Sequence, residues 1–471
     1  MRIFVESTKN FLNSEQNVGI PRVVRNVVFN LSGIQEVECV PIVFRHSRYY
    51  DARGSIDMVE PTKRINKTFA YLTAKVEELW RMYDRMCAKK VISSTPILQK
   101  VLLGVFVIGG QPLMTAFRIC RTLRIRRMSK WLIPIDIQPG DIVLWPGSLE
   151  GKSIQRRLTP LKLQGARIIA IIHDLFLITQ FVIRRDSKQK VIPSPWLLST
   201  ADGFIAVSAT VRDELREYLR SNLQIPEKKL PWTDYFHLGS ELDLVTSQTQ
   251  LRSFFRKHFN NSSSSYLMVG TVQPRKNYAY ALDAFELLWA DNVNVTLCIV
   301  GAIGWKCEEL VERIHKHPEW NRRLFMWNDT NDTELEYCYR HSKALVFSAI
   351  AEGFGLPLVE AMQHGLPVMA SDIPIFRELG TDFVAFFELS NPQNLCDLII
   401  EFEKSAVFPA VRSIEEWQWI SWEESTLQLI EKIVQHEKEH SDGNPIKLKT
   451  HILNGETSTI SYRNIAICKH L

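Results

Sequence analysis

Short, mostly apolar runs alternate along the chain with stretches whose apolar residues recur at helical spacing. Such runs are typical of strands that are covered on both faces. The predicted strands lie at residues 2–6, 141–144, 166–172, 204–207, 266–269, 295–300, 324–327, 345–347 and 366–370. Helical patterns follow several of them, and this order occurs in both halves of the chain. The alternation predicts an α/β fold with two doubly wound parallel sheets.

The stretch from residue 345 to residue 370 carries the densest pattern. Its first strand is followed by a loop with Gly353 and Gly355, which let the backbone approach another group closely. A proline then suits the first turn of a helix, and a second buried strand follows. Glu352 lies in the loop, where open α/β sheets bind ligands, while Glu360 lies about one turn into the helix. Because the two carboxylates belong to different elements, they do not form a simple general acid/base pair.

Two adjacent cations, Arg275 and Lys276, lie in the loop that follows the predicted strand at 266–269. Gly270 precedes them, and a helix pattern rich in alanine, leucine and phenylalanine follows. An arginine binds a diphosphate through two N–H groups, and a lysine acts as a point charge. An arginine–lysine pair in a loop is more often simply exposed to solvent. The glycine before this pair and the helix after it favour a phosphate site.

Other candidate positions also follow predicted strands. His173 comes after the buried strand 166–172, at the end where ligands bind, although a histidine that serves only the core is the alternative. Gly19 precedes a helix pattern containing four valines. It brings backbone N–H groups to a phosphate or sugar, or else belongs to a plain strand–loop–helix connection. Residues 301–305 form a loop of the kind that contacts a nucleotide base.

Glu352 and Glu360 are separated by seven residues that include Gly-Phe-Gly-Leu-Pro. This arrangement resembles the E-x7-E motif of the GT4-type retaining glycosyltransferases. The resemblance implies the GT-B fold, in which two Rossmann-like domains with doubly wound parallel sheets face a central cleft. It is dense from residue 266 to about residue 390 and sparser in 1–50 and 140–245, and it does not cover 51–135.

The resemblance also implies roles for individual residues. Arg275 and Lys276 would stabilise the leaving nucleoside diphosphate. Glu352 would bind hydroxyls of the transferred sugar, Glu360 would bind the ribose, and His173 would face the reacting sugar. The implied catalytic residues are Arg275, Lys276, His173 and Glu352; the implied donor-binding residues are Gly19, Gly270, Gly301, Phe354, Gly355, Leu356 and Glu360. A front-face mechanism follows, in which the leaving phosphate oxygen helps to deprotonate the acceptor.

The start GIPRVVRN and the loop TVQPRKN look most like bacterial mannosyl- or rhamnosyltransferases of surface polysaccharide assembly. This similarity implies GDP-mannose as the donor and a glycan or a lipid-linked glycan as the acceptor. One departure stands out, because many members carry an arginine where this chain has Thr271. Arg275 therefore has to supply that charge.

Two readings from other classes compete with sugar transfer. A nucleotide-sugar 2-epimerase on the same fold would also bind the diphosphate, but it would need carboxylates acting as acid and base around the sugar. An inactive scaffold subunit gains slight support from Thr271. The retention of Arg275, Lys276, Glu352, Glu360 and His173 weighs against that scaffold.

The patterns predict a division of the chain into four parts. Residues 1–258 form an acceptor-side domain with an atypical apolar and basic insertion at 51–135, and residues 259–408 form the nucleotide-sugar domain. Residues 409–440 form helices that pack back on the first domain. Residues 441–471 are polar and irregular, which predicts a loosely ordered tail.

Composition narrows the class of protein. With 471 residues, 45% hydrophobic and 23% charged, the chain has the balance of a soluble protein of two or three domains. A net charge of +5 is too mild to imply nucleic acid. The eight cysteines contain no C-x-x-C, which indicates reduced core thiols in a cytoplasmic protein. No D-x-D motif or metal cluster is apparent, so we expect metal independence and no cofactor. The N-terminus reads as a strand, not as a signal peptide.

Residues 101–117 contain no charge, and six basic residues follow up to Lys130. A spanning helix needs about 20 apolar residues, and Gly109, Gly110 and Pro112 interrupt this stretch. Two interpretations remain open. One is a segment that docks in the plane of an anionic membrane, placing the protein on the cytoplasmic face of the inner membrane; the other is an apolar helical hairpin buried against its domain.

Overall fold

The computed structural model describes residues 1–8, 19–56, 72, 75–76, 79, 96–147, 153–175, 195–223, 231–242, 251–259 and 264–440. The chain divides into two compact units. Among the described residues, the first contains those up to 145 together with 156–167, and the second contains those of 146–155 together with those of 168–440.

The strands of the described residues fall into two sheets. They are β1 (Arg2–Glu6), β2 (Glu38–Arg45), β3 (Arg48–Asp51), β4 (Ile133–Pro134), β5 (Ile142–Trp145), β6 (Arg167–Ile172), β7 (Gly203–Ala206), β8 (Trp232–Tyr235), β9 (Ser264–Val269), β10 (Val295–Val300), β11 (Leu324–Trp327), β12 (Ala344–Phe347), β13 (Val368–Ser371) and β14 (Val384–Phe387). Every strand that the sequence predicts is among them.

The helices of the described residues connect these strands. They are α1 (Ile20–Gly33), α2 (Arg53–Ile56), α3 (Pro96–Ser129), α4 (Ser153–Leu163), α5 (Pro195–Thr200), α6 (Ala209–Leu223), α7 (Ser253–Phe259), α8 (Tyr278–Ala290), α9 (Glu308–Lys316), α10 (Asp332–His341), α11 (Leu356–Gln363), α12 (Pro374–Gly380), α13 (Gln393–Ser405) and α14 (Trp422–His440).

The first sheet has the strand order β4-β3-β2-β1-β5-β6-β7-β8. Strand β1 pairs in parallel with β2 on one side and with β5 on the other. Strands β3 and β4, which the sequence did not predict, pair antiparallel and extend one edge of this sheet. A two-residue turn joins β2 to β3, and both of its residues, His46 and Ser47, have positive φ. Such turns suit tight hairpins, which explains the added antiparallel edge.

The second sheet has the strand order β11-β10-β9-β12-β13-β14, and its strand pairs are parallel. The chain first adds β10 and β11 on one side of β9 and then crosses to the other side with β12. This reversal makes the space between β9 and β12 a topological switch point, where doubly wound sheets bind ligands beyond the carboxyl ends of their strands. The predicted doubly wound α/β architecture is confirmed here.

The core of the second sheet lies between its strands and the flanking helices. Tyr266 of β9 and Phe285 of α8 are fully buried, and their rings lie edge to face with 5.8 Å between centroids. Burying aromatic rings of this size contributes about 2 kcal/mol or more each. The packing therefore holds the loop between β9 and α8, which carries Arg275 and Lys276, on a rigid base.

Helix α3 runs without interruption for 34 residues through Gly109, Gly110 and Pro112. The expectation that these residues interrupt the apolar stretch is wrong, and so is the helical hairpin. Pro112 lacks one backbone N–H and costs about 3 kcal/mol in a helix interior. The many other hydrogen bonds of so long a helix offset that cost. Among the described helices, none combines the length and the apolar composition that crossing a membrane requires.

The C-terminal helix α14 and the residues just before it contact the segment that begins with β8. The indole N–H of Trp419 donates to the carbonyl of Leu238 at 2.8 Å, and Ser425 donates to the carbonyl of His237 at 2.6 Å. The predicted domain boundaries stay predictions. The tail predicted at 441–471 lies outside the described residues, as does most of the first half of the insertion predicted at 51–135.

Candidate functional site

Arg275 and Lys276 lie at the carboxyl end of β9, on the switch point of the second sheet. They belong to a 3-10 turn, Pro274–Lys276, and Asn277 then takes a left-handed conformation with φ 53° before α8 begins. Lys276 is only 7% exposed, and its ammonium lies 4.6 Å from the centroid of the Phe347 ring. A lysine held this firmly has little rotamer freedom left to lose when a ligand binds.

Glu352 comes from the other side of the switch point, in the loop after β12. Its carboxylate lies 2.6 Å from Nη1 of Arg275 and also contacts Nζ of Lys276. The backbone supports this contact, because the N–H of Ile350 donates to the carbonyl of Arg275 at 2.8 Å. Nη1 of Arg275 also lies 3.2 Å from the carbonyl oxygen of Ala351. The structure thus brings together three of the four residues that the resemblance implies are catalytic.

The electrostatics of this cluster follow from burial and from two cations facing one anion. Burial alone would raise the pKa of Glu352, but the charges of Lys276 and Arg275 outweigh it, and the pKa lies below its usual value. Burial lowers the pKa of Lys276, against the opposing effect of Glu352. The cluster therefore keeps a net positive charge at the end of the sheet, which suits an anionic ligand.

Gly270 and Gly301 let the loops after β9 and β10 approach each other. Their φ values are 132° and 151°, and a Cβ on Gly301 would overlap the carbonyl oxygen of Gly270. The loop after β10 presents Ile303 and Trp305, which are about 40% exposed. The Trp305 indole N–H donates to the side chain of Gln273 at 3.1 Å. An apolar surface therefore lies beside the loop that carries the two cations.

The N-terminus of α11 follows Glu352 directly. Gly355 is its N-cap residue with φ 107°, and no side chain caps this helix end. Phe354 is buried and Leu356 begins the helix. The first N–H groups of a helix carry partial positive charge, so this turn adds to the attraction for an anion.

Glu360 lies one turn along α11 and is 3% exposed. The hydroxyl of Tyr339 on α10 donates to its carboxylate at 2.7 Å. Its charge also supports the protonated state of Lys276. The predicted contact of Glu360 with a ribose stays a prediction. Tyr339 was missed at the sequence level, because a tyrosine inside a helix gives no signal for this partner.

His173 follows β6 and packs through its backbone on the loop of Glu352. A Cβ on Gly353 would overlap the carbonyl oxygen of His173, so only glycine fits there. The ring Nε2 lies 2.9 Å from the carbonyl oxygen of Pro146 and therefore carries the proton. Burial lowers the pKa of His173 to about 4, and the neutral ring then presents Nδ1 as an acceptor. The histidine lies beside the glycine that follows Glu352, as a site residue would.

A second set of contacts, which the sequence did not indicate, holds this region. Glu378 of α12 accepts from the backbone N–H groups of Ala209 and Thr210, each at 2.8 Å, at the N-terminus of α6. It also binds Nε2 of His237 at 2.8 Å. Burial opposes ionisation, but these donors prevail and lower the pKa of Glu378 to about 2. Ser208 accepts from the N–H of Val211 at 3.2 Å and donates to the carbonyl of Gly353 at 2.9 Å.

Gly19 belongs to the first unit, where it is the N-cap residue of α1 with φ 57°. Its carbonyl accepts from the N–H groups of Arg22 and Val23. Its predicted contact with a donor stays a prediction. Within the described residues, no group of three or more histidines, cysteines, aspartates or glutamates is arranged to hold a metal ion.

Comparison with known protein families identifies a domain that contains this site. Residues 250–415 match the family described as "Glycosyl transferases group 1". This range contains Arg275, Lys276, Glu352 and Glu360. The resemblance drawn from the two glutamates is thereby confirmed at the level of the family.

Several curated proteins that resemble this chain are named as mannosyltransferases. The serotype-specific mannosyltransferase WbdA of Escherichia coli is 31% identical over 279 residues, which cover 58% of this chain and 34% of the relative. The O-antigen chain mannosyltransferase B of Escherichia coli is 29% identical over 171 residues, 35% of this chain and 44% of the relative. The chain spans about a third of the length of WbdA.

Among solved structures, Anabaena HepE in complex with UDP and glucose aligns over 92% of this chain and 100% of its own. The TM-score is 0.52 at 13% identity, so the likeness concerns the fold alone. The likeness supports the GT-B fold that the resemblance implies.

Proposed function

Since residues 250–415 form a glycosyl transferases group 1 domain, we propose that the protein is a retaining glycosyltransferase. It moves a hexose from a nucleoside-diphosphate sugar to a glycan or a lipid-linked glycan. The observation that carries this proposal is the meeting of Arg275 and Lys276 with Glu352 across the switch point of the second sheet. A diphosphate is the ligand class that two preorganised cations and a helix N-terminus suit best.

In the proposed reaction the bond between the anomeric carbon and the diphosphate oxygen breaks, and a bond to the acceptor oxygen forms on the same face. The acceptor proton passes to the leaving phosphate. Arg275 and Lys276 stabilise the charge that develops on the diphosphate, which is preorganised electrostatic catalysis. Glu352 binds hydroxyls of the sugar, and neutral His173 accepts from the sugar through Nδ1. No step needs a metal ion.

We propose a hexose of the mannose type, and GDP-mannose as the donor. The WbdA and mannosyltransferase B relatives support this choice by their names. The exposed indole of Trp305 offers a flat apolar surface to the base, held by its hydrogen bond to Gln273. Glu360 binds the ribose, and the N–H groups of Phe354, Gly355 and Leu356 face the diphosphate.

A direct assay distinguishes sugar transfer from a 2-epimerase activity and from an inactive scaffold. The protein is incubated with GDP-mannose, GDP-fucose, UDP-glucose, UDP-galactose and dTDP-rhamnose, and released nucleoside diphosphate is measured with and without lipid-linked glycan. We expect release from GDP-mannose above all. No release with any donor, together with no thermal shift by GDP or UDP, contradicts the enzyme and supports a scaffold. A 2-epimerase would instead convert the nucleotide sugar to its 2-epimer, with no transfer to glycan.

Metal independence has its own test. Treatment with EDTA should leave the rate of transfer unchanged, because Arg275 and Lys276 supply the charge that a divalent ion supplies elsewhere. Complete loss of transfer that a divalent ion restores would overturn this part of the proposal.

We also propose that α3 docks on an anionic membrane surface. Its exposed apolar residues recur along one face of the helix, and exposed basic residues lie at its C-terminal half. The apolar residues are Val105, Ile108, Ile119 and Leu123, each more than half exposed. The basic residues are Arg118 and Arg126 within the helix and Lys130 directly after it. Such a surface would bring the enzyme to a lipid-linked acceptor.

Vesicle sedimentation tests this docking. The wild type should sediment with phosphatidylglycerol vesicles and much less with phosphatidylcholine. The double variant I108S/I119S should lose most of this binding. The control L163S changes an equally exposed leucine, 83% exposed on α4, and should bind as the wild type does. Equal binding by the double variant and the control would refute the docking face.

A further inference from the structure

The loop that carries Glu352 is contacted by residues that follow two neighbouring strands. Strands β6 and β7 pair in parallel, so the residues after them lie at the same edge of their sheet. His173 follows β6, and its carbonyl oxygen leaves no room for a Cβ on Gly353. Ser208 comes two residues after β7, and its hydroxyl donates to the carbonyl of Gly353 at 2.9 Å. Both contacts are made with the residue directly after Glu352.

Ser208 makes two kinds of contact, and only one of them concerns its own helix. It is fully buried and directly precedes α6, where its carbonyl accepts from the N–H of Arg212 at 3.1 Å and its hydroxyl from the N–H of Val211 at 3.2 Å. This is the arrangement of an N-cap residue, which needs only an acceptor. A serine hydroxyl has one proton to donate, and Ser208 donates it to Gly353. Helix capping therefore leaves this donated bond unexplained.

Glu378 fixes the helix end to which Ser208 belongs. Its carboxylate accepts from the N–H groups of Ala209 and Thr210, each at 2.8 Å, and from the Thr210 hydroxyl at 2.6 Å. Hydrogen bonds to an ionised carboxylate are about twice as strong as those between neutral groups. Because Ala209 and Thr210 come directly after Ser208, these bonds determine where the Ser208 hydroxyl lies.

Helix α12, which carries Glu378, also packs on the loop of Glu352. A Cβ on Gly355 would lie 2.9 Å from the ring of Phe376 on α12, so this ring is in close contact with the backbone of the loop. The N-terminus of α6, helix α12 and the loop therefore form a closed ring of contacts, in which the bond between Ser208 and Gly353 is one link. The loop has little freedom to shift while every link is intact.

This restraint matters when a diphosphate binds to the two cations. Arg275 and Lys276 hold the carboxylate of Glu352 directly. A diphosphate that binds these cations weakens that hold, and the position of Glu352 then depends on its backbone. A shift of about 1 Å in a group that orients a substrate lowers the rate about 100-fold.

We propose that Ser208 is a positioning residue for Glu352: its hydroxyl holds the Gly353 carbonyl and so keeps the Glu352 carboxylate on the transferred sugar while the diphosphate occupies Arg275 and Lys276. The inference rests on the proposed function. Ser208 acts through Glu352 and touches neither the diphosphate nor the sugar. It therefore affects kcat and leaves the affinity for the nucleotide unchanged.

The variant Ser208→Ala removes the donated bond together with the cap, and Ser421→Ala is the matched control. Ser421 directly precedes α14, where its hydroxyl accepts from the N–H of Glu424 at 3.1 Å, so this control loses a cap of the same kind. The melting temperatures of both variants should fall by similar amounts. The kcat for release of GDP from GDP-mannose, measured with lipid-linked glycan, should fall about 10- to 100-fold for Ser208→Ala alone. The Kd for GDP, measured by calorimetry, should stay that of the wild type in both.

A double-mutant cycle separates positioning from a general loss of stability. Residues that act as a unit in catalysis have non-additive effects on kcat. In a Glu352→Gln background, adding Ser208→Ala should therefore lower kcat less than twofold further, although it lowers the melting temperature as it does in the wild type.

Two results would overturn this inference: a kcat for Ser208→Ala equal to that of Ser421→Ala, or the same fall in kcat on adding Ser208→Ala to Glu352→Gln as to the wild type. The wild-type rate separates this inference from the proposed function. If the wild type transfers the sugar and Ser208→Ala does so equally fast, the positioning role alone fails. If the wild type turns over no donor, the proposed function fails and the role of Ser208 falls with it.

Discussion

Nη1 of Arg275 lies 2.6 Å from Oε1 of Glu352 across the switch point of the second sheet, and Nζ of Lys276 contacts the same oxygen. One anion thus faces two cations in a largely buried place. A diphosphate that binds there takes over part of the role of Glu352 as counterion. The carboxylate is then available to the hydroxyls of the sugar. Because Glu352 contacts both cations, binding of the donor diphosphate and positioning of the transferred sugar are coupled.

The variant Glu352→Gln should separate binding from chemistry. Removing the negative charge leaves Arg275 and Lys276 uncompensated, so GDP should bind as tightly as to the wild type or more tightly. The sugar loses a strong acceptor, so kcat should fall about 100-fold or more. Calorimetry with GDP measures the affinity for the nucleotide, and the rate of transfer gives kcat. Weaker GDP binding with unchanged kcat would show that Glu352 does not oppose the phosphate.

Gly353→Ala should destabilise the protein. A Cβ there meets the carbonyl oxygen of His173, and backbone on both sides has little room to move. Overpacking of this kind costs about 1–3 kcal/mol. Gly33→Ala is the control, since a Cβ at that helical position meets nothing within 4 Å. Urea unfolding measures both variants; equal stability of the two would place the loop of Glu352 away from His173.

Glu378→Gln tests the contacts at the N-terminus of α6. The pKa of Glu378 is lowered to about 2, so its charged form stabilises the fold above pH about 4.5, and this contribution is lost as the pH falls towards 2. At pH 7 the variant should lose on the order of 3 kcal/mol of unfolding free energy. The gap should narrow at pH 3.5. Glu401→Gln, on the exposed face of α13, should cost little at either pH, and a gap independent of pH would contradict the account.

The stability of the protein should also depend on pH through His173, here because burial disfavours the charged form of the ring. Burial lowers its pKa to about 4, so the folded protein resists protonation of the ring while the unfolded chain accepts it below pH about 6.5. The wild type should therefore lose about 2 kcal/mol more unfolding free energy than His173→Asn between pH 7 and pH 5. Urea unfolding at the two pH values provides the comparison. Equal losses would mean that the ring is charged in the folded protein.

The sequence predicted much of the fold because apolar runs mark strands buried on both faces. Strand β2 escaped this pattern because Pro41 lies within it, and a proline argues against a central strand. Helix α3 was misjudged for a related reason: Gly109, Gly110 and Pro112 weaken a helix locally, but length and context decide whether it continues.

The candidate site was predictable where glycine-rich loops follow strands, as with Arg275, Lys276 and Glu352. It was not predictable where a side chain reaches across a long separation in sequence. Glu378 meets Ala209 and Thr210 in this way, and Glu6 meets Arg157. No local pattern distinguishes these carboxylates from solvated ones, since their partners are set by the packing of the strands.

In the proposed reaction, the buried cation of Lys276 stabilises the diphosphate that leaves the donor sugar. Lys276→Met keeps most of the apolar side chain and removes the charge, and Lys316→Met removes an exposed charge from α9 as the control. The most direct measurement is kcat for mannose transfer from GDP-mannose by these two variants and the wild type. We expect a fall of about 100- to 1,000-fold for Lys276→Met and no change for Lys316→Met. A near-normal kcat in a folded Lys276→Met protein would contradict it.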